Sequence, residues 1–229
     1  KKYTMTPTLE KTSVMAPFIL MLFLYFIVGL FTVINQQFQV PLKSALLPHD
    51  GNMTNALVTL LNFSWFLAYP FSEGFATRWV DRLGYRKTSV YSLLIFIAGL
   101  GFYEAAVLLH IYAPSYITIM GNPIFTGFFV FLSGSFVIGM AVTILQVVTG
   151  LYLDVNPVGK TTPLQRQMIG GTTNSIGMAI GPLVVSYVIF YGIPLHNVQS
   201  REFIWPVICL IAIICIFTLI TARIKMPAI

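Results

Sequence analysis

The sequence predicts an all-α membrane protein, and three observations carry that prediction. Apolar residues make up 57% of the 229, mean hydropathy is +0.83 and 9% of residues are charged, whereas a soluble domain is about half apolar and about a quarter charged. The apolar residues form runs of about 20 or more between short polar loops, which suits helical spans rather than the short alternating strands of a membrane barrel. The 13 Lys and Arg gather in alternate loops, as they do when one side of a bilayer retains the cations.

Taken in order, six spans are expected, at about residues 17–40, 54–77, 88–110, 124–153, 168–191 and 203–222. The first can run a turn past Pro41, and the fourth is long enough to tilt or to project from the bilayer. Residues 1–16 read as a cytoplasmic segment and 224–229 as the start of a connection. An even number of spans puts both termini on one face. With the N-terminus inside, the inner segments hold Lys1, Lys2, Lys11, Arg78, Arg82, Arg86, Lys87, Lys160, Arg166, Arg223 and Lys225, and the outer ones hold Lys43 and Arg201. That bias makes the N-terminus cytoplasmic in a plasma membrane, with a bacterial inner membrane as the expected site. The net charge of +6 is then accounted for by anionic headgroups and needs no nucleic acid. No cleavable signal peptide is read, because the run after Pro17 is far longer than a signal core. Cys209 and Cys215 lie six apart on one helix, pointing away from each other, and read as packing residues. Of the histidines, His49, His110 and His196 all fall in outer segments.

The densest charge lies between the second and third spans, from Gly74 to Lys87. Gly84 permits a tight reversal there, and Asp81 sits at a helix end beside several cations. The string Asp81-Arg82-Leu83-Gly84-Tyr85-Arg86-Lys87 resembles the signature loop of the major facilitator superfamily, with Thr77 where that family has a small residue. The resemblance implies a twelve-helix transporter of which this chain is the N-terminal six-helix half. It further implies a second half in the same or another chain, and a cytoplasmic latch. Glu73, Asp81, Arg82, Gly84, Arg86 and Arg166 are the latch candidates.

A second resemblance lies in Asn156-Pro157-Val158-Gly159-Lys160, Arg166-Gln167, Gly170-Gly171-Thr172-Thr173-Asn174-Ser175-Ile176-Gly177 and Gly181-Pro182. This run is similar to the corresponding region of the fucose:proton symporter family, echoed again in Pro41-Leu42-Lys43 and Lys225-Met226-Pro227. It implies a sugar or related polyol as substrate and adds Asn174 to the binding candidates.

Polar residues inside spans point to a pathway, because an unpaired buried amide costs a few kcal/mol. Thr32, Gln36, Gln39 and Lys43 share one helical stripe, with Asn35 and Gln37 flanking it. Asn55, Thr59, Asn62, Tyr69 and Glu73 form another, with Trp65 close by, and Ser135, Gly139, Thr143, Gln146 and Gly150 a third. Amides pair with vicinal hydroxyls, and an indole suits the apolar face of a sugar ring. The substrate-binding candidates are therefore Asn35, Gln36, Gln37, Gln39, Asn62, Trp65, Gln146 and Asn174. The competing role for each is interhelical bonding. Gly171, Ser175 and Ala179 read as a close-packing stripe, as do Gly177 and Gly181, with Pro182 bending the helix.

In the fucose:proton family the proton carriers are carboxylates at the positions that Gln37 and Gln146 fill here. Glutamine does not titrate, so the departure favours a uniporter, coupling through a cation elsewhere, or coupling by the absent half. Glu104, toward the outer end of the third span, is the remaining intramembrane acid and the candidate for coupling. There is no metal-binding cluster, nucleotide loop or nucleophile with its base, so neither enzyme chemistry nor a cofactor is expected. The expected function is secondary transport of a monosaccharide or related small polar solute by alternating access. The alternative is a membrane receptor or assembly subunit that keeps the bundle without transporting.

Overall fold

The computed structural model describes residues 14–47, 52–119 and 121–226. Lys1, Lys2, Lys11, His49 and Pro227 lie outside them. Helix α1 spans Met15–Gln37 and α2 spans Gln39–Leu46. The break follows from Pro41, which has no N–H to return to the Gln37 carbonyl. The ladder resumes at once, with Leu42 N–H donating to the Phe38 carbonyl at 2.9 Å.

Helix α3 runs Asn52–Tyr112, 61 residues, which if straight would measure about 90 Å, three times the hydrocarbon core. It is not straight. Gly84 has φ 78° and ψ 167°, a region open essentially to glycine alone, and the chain doubles back there. Thr88 Oγ1 donates to the Trp79 carbonyl at 3.0 Å. The Trp79 and Tyr91 rings lie 6.2 Å apart, where residues twelve apart on a straight helix would be about 18 Å apart. Residues 52–83 and 85–112 are thus the two limbs of a helical hairpin.

Two short antiparallel strands follow, β1 (Tyr116–Ile119) and β2 (Asn122–Phe125), and then α4 (Gly127–Val155). A helix was expected from about residue 124, but Ile124 and Phe125 belong to β2. Gly121 turns the chain at φ 81°, and Pro123 pushes Asn122 toward extended geometry. Helix α5 (Pro163–Leu183) starts five residues before the expected 168. Thr162 caps it, its Oγ1 accepting from Gln165 N–H at 3.3 Å while Gln165 Oε1 accepts from Thr162 N–H at 2.9 Å, and Pro163 opens the first turn. Past Pro182 the helix loosens into a π-helical turn at Val184–Ile189. Helix α6 covers Ile204–Arg223.

Five of these helices are long and apolar enough to cross a membrane, α3 among them. Glycines bring them together. A Cβ on Gly139 of α4 would sit 2.6 Å from the Trp65 carbonyl oxygen in the first limb of α3, and one on Gly134 would sit 2.9 Å from the Gly99 carbonyl oxygen in the second. Between α1 and α5, Gly29 lies against the Asn174 backbone and Gly177 against the Phe26 backbone. The close-packing face of α5 is Gly170, Gly177 and Gly181, which are buried. Gly177 and Gly181 were expected there, whereas Gly171, Ser175 and Ala179, the other expected stripe, are all exposed. Tyr103 stacks on Phe131 at 3.8 Å and Phe31 meets Phe96 edge-on at 4.6 Å, closing the core. Helix α6 leaves Trp205, Ile216 and Leu219 exposed, as a helix covered by lipid or a partner does. Cys209 and Cys215 are both free.

Candidate functional site

The polar residues of the spans divide into two sets. The first is a buried node centred on Asn35, which is 2% exposed. Its Nδ2 donates to Asn62 Oδ1 at 3.2 Å, and its Oδ1 accepts from Tyr103 Oη at 3.1 Å and Ser135 Oγ at 3.0 Å. One amide thereby joins α1, both limbs of α3 and α4. Asn35 and Asn62, both expected at a ligand, bond to each other here. Trp65, expected to stack on a sugar, is 1% exposed inside the core. The void bordered by Asn35, Trp65 and Tyr103 is about 10 Å³, room for one water at most.

The second set lines open grooves. Where α1 gives way to α2, the outer end in the expected orientation, and at the start of α3, a groove of about 680 Å³ is bordered by Gln39, Lys43, Ser44, Asn55, Thr59 and His196. Ser44 Oγ donates to the His196 carbonyl at 2.7 Å, fixing one wall. Toward the opposite end, the inner one in the expected orientation, a groove of about 330 Å³ is lined by Tyr25 of α1, Glu73 of α3, and Thr143, Gln146 and Gly150 of α4. The two are stations on one face. Tyr25, Thr32 and Gln36 are spaced 7 and 4 apart on α1, with Gln39 three further on at the start of α2, and Asn55, Thr59, Asn62, Tyr69 and Glu73 are spaced 4, 3, 7 and 4 apart on α3. Gln36 is half-buried on this stripe. The Tyr69 phenol lies within reach of Thr32 and Trp65 and close to Glu73 and Tyr25.

Two amides lie elsewhere. Gln37, half-buried, continues the ridge of Phe26, Leu30 and Val33 that meets Gly177 and Gly181 of α5. Asn174 donates from Nδ2 to the Tyr25 carbonyl at 3.0 Å, so it pins α5 to α1 behind the inner groove.

Around the reversal at Gly84, Asp81, Arg82 and Arg86 are exposed, as is Glu73 further along the first limb. Among the described residues, neither carboxylate makes a hydrogen bond or an ion pair. Tyr85 anchors the reversal, 4% exposed and edge-on to Tyr152 with centroids 5.3 Å apart. Arg166, expected in the latch, has another task. It is 2% exposed, and its Nε, Nη1 and Nη2 donate to the carbonyls of Leu153 (2.6 Å), Thr161 (2.9 Å) and Asp154 (2.7 Å). A cation at the C-terminal end of α4 is favourable to the helix dipole. With all three nitrogens bonded and the side chain buried, Arg166 is held away from any latch at Asp81.

Glu104 is half-buried on the second limb, with a buried Oε2 that has no partner among the described residues, and it borders neither groove. At the outer ends, Ser200 Oγ donates to the Ala45 carbonyl at 2.9 Å and lies 2.7 Å from His110 Nδ1. Sequence reasoning missed Tyr25, Ser44 and His196 as groove residues. Tyr25, seven before Thr32 on the polar stripe, was findable by helical period, whereas Ser44 and His196 meet through a loop that no periodicity foretells.

No family model and no curated protein matches the sequence. Among solved structures, the fold is similar to that of the xylose transporter XylE from E. coli in an inward open conformation. The TM-score is 0.60 at 16% identity, over 94% of this chain and 48% of that one. The chain thus spans about half the length of the transporter it resembles. It is a multi-pass, largely helical membrane protein with the fold of part of a transporter.

Proposed function

We propose that the chain is one six-helix half of a major-facilitator-type secondary transporter that moves a monosaccharide or related polyol by alternating access. The observation that carries this reading is the coincidence of the transporter fold with a continuous polar face on α1, α3 and α4. That face holds Gln36, Gln39, Asn55, Thr59 and Gln146. In this reading the two limbs of α3 cross the bilayer separately, both termini are cytoplasmic, and a second six-helix half, in the same or another chain, closes over the face. A plasma membrane, bacterial by expectation, is its place. Amides offering donor and acceptor together suit vicinal hydroxyls, and xylose, the sugar for which the similar transporter is named, is of that class. Asp81, Arg82 and Arg86 around Gly84 are the cytoplasmic latch, unengaged in this chain because its cationic and anionic partners belong to the second half. Gln37 and Gln146 cannot carry a proton, so coupling does not run through them. Glu104 is the candidate outside the polar face.

Radiolabelled pentose and hexose counterflow in proteoliposomes bearing the intact native protein tests the proposal. Saturable counterflow of a sugar is the expected result. Uptake no better than empty vesicles for every sugar and polyol would sink it.

A further inference from the structure

The inner groove contains a charge that neither the latch nor the hydroxyl-binding amides explain. Glu73 lies ten residues before the end of the first limb of α3 at residue 83, Tyr25 ten residues after the start of α1 at Met15, and Gln146 nine before the end of α4 at Val155. At 1.5 Å per residue all three sit about 15 Å in from the inner ends of their helices, at one level. Asp81 is eight residues, or about 12 Å, nearer the inner end, so Glu73 is too deep to belong to the same latch. Its carboxylate makes no ion pair or hydrogen bond among the described residues, and it faces a groove of about 330 Å³.

What surrounds that carboxylate decides what it could hold. The titratable groups near it are the phenols of Tyr25 on α1 and Tyr69 on its own helix. Helix α4 contributes Thr143, Gln146 and Gly150 to the lining, and no Lys, Arg or His among the described residues borders the groove. Thr143 donates its hydrogen to the Gly139 carbonyl at 2.8 Å, leaving its oxygen as an acceptor, and Gln146 offers an amide. A carboxylate with a phenol beside it in the groove, and hydrogen-bonding groups opposite, recognises an ammonium attached to a hydroxylated skeleton. A neutral polyol would leave Glu73 unpaired once the face is closed, at a cost. A groove of this volume also exceeds what a bare cation needs.

We infer that the inner groove holds a solute carrying a primary ammonium, an amino sugar being the simplest polyol of that class, with Glu73 as its counter-ion and Gln146 facing its hydroxyls. This rests on the transporter reading and narrows its substrate class.

The test uses the intact native protein in proteoliposomes and three matched pairs: glucosamine and glucose, galactosamine and galactose, mannosamine and mannose. Each is assayed as a competitor of labelled counterflow and by ligand-induced thermal stabilisation in detergent. The expected result is that, in at least one pair, the aminated member binds roughly tenfold tighter, as a charge-assisted bond contributes. Glu73→Gln collapses that ratio toward one, mainly through the aminated member, and Glu73→Asp preserves most of it. Equal affinities within every pair, or an amine advantage that survives Glu73→Gln, would overturn the inference. A Glu73→Gln protein that lost pH-driven uptake of a neutral sugar with no amine preference in the wild type would overturn it too, and would mark Glu73 as a proton carrier. Counterflow of neutral sugars alone leaves the transporter proposal standing while this one falls, and the absence of any sugar flux removes both.

Discussion

Asn35 and Gln36 are adjacent amides on α1 with opposite fates. Asn35 turns inward and bonds to side chains from three other helical segments, while Gln36 turns onto the stripe that joins the two grooves. The difference is a rotation of about 100° around the helix axis, yet it separates a residue that holds the bundle together from one placed to meet a solute. Hydrogen-bond satisfaction is what tells them apart. Asn35 spends both lone pairs of Oδ1 and one of its two N–H bonds on enclosed protein groups, whereas an amide facing open volume still has its bonds to give.

The comparison predicts that damage to the inward set shows in stability and damage to the outward set in transport. The largest effect is expected for Gly29→Val. Its side chain would meet the Asn174 backbone, which has no flexible end to move aside, so α1 and α5 must separate. Loss of the folded, monodisperse protein on size-exclusion chromatography is the expected outcome, and a normal elution profile would break the packing argument. Arg166→Met comes next. It leaves the carbonyls of Leu153, Asp154 and Thr161 without their donors and is expected to cost about 3 kcal/mol. A fall in the midpoint of a reversible unfolding titration would show this, with Arg166→Lys recovering only part because it lacks the planar fork. Asn35→Ala is expected to cost about 2 kcal/mol in the same titration, since it strands Asn62 and Tyr103, while Ser135 keeps the Leu61 carbonyl. Gly84→Ala should cost about 1–3 kcal/mol, because its dihedrals are closed to a Cβ even though nothing crowds the site. Smallest in stability is Gln39→Ala, expected within about 0.5 kcal/mol of wild type, yet lowering counterflow of whichever sugar the intact protein carries. Equal losses of stability for Asn35→Ala and Gln39→Ala would erase the distinction.

Much of this was legible in the sequence. Length and hydropathy foretold the helices, and Gly84 within a charged loop foretold the reversal of α3, because both rest on local rules. The polar stripes were legible too, since helical period alone aligns Thr32, Gln36 and Gln39. What period cannot supply is the direction in which a stripe faces. Asn35 and Trp65 stood beside the stripes as ligand candidates, and Asn62 on one of them. Only the packing of α4 through Gly134 and Gly139 shows that Asn35 and Trp65 are enclosed and that Asn62 is bonded to Asn35. Arg166 was misread for a related reason. A cation near a loop looks like a latch until the carbonyls at a helix end take up its nitrogens, and those carbonyls come from residues 5 to 13 positions away. The start of α4 was misplaced because Ile124 and Phe125 are apolar enough for a span, while Gly121 and Pro123 commit them to a hairpin.

The Arg166 cap also has a mechanical consequence. Its bonds to Leu153 and Asp154, with the Gln167 Nε2 bond to the Gly150 carbonyl at 2.7 Å, tie the end of α4 to the start of α5 over more than a full helical turn. Two rods pinned in this way behave as one lever. If the inner groove widens or narrows during a working cycle, α4 and α5 swing together, and α1 moves with them because Asn174 and Gly177 hold it against α5.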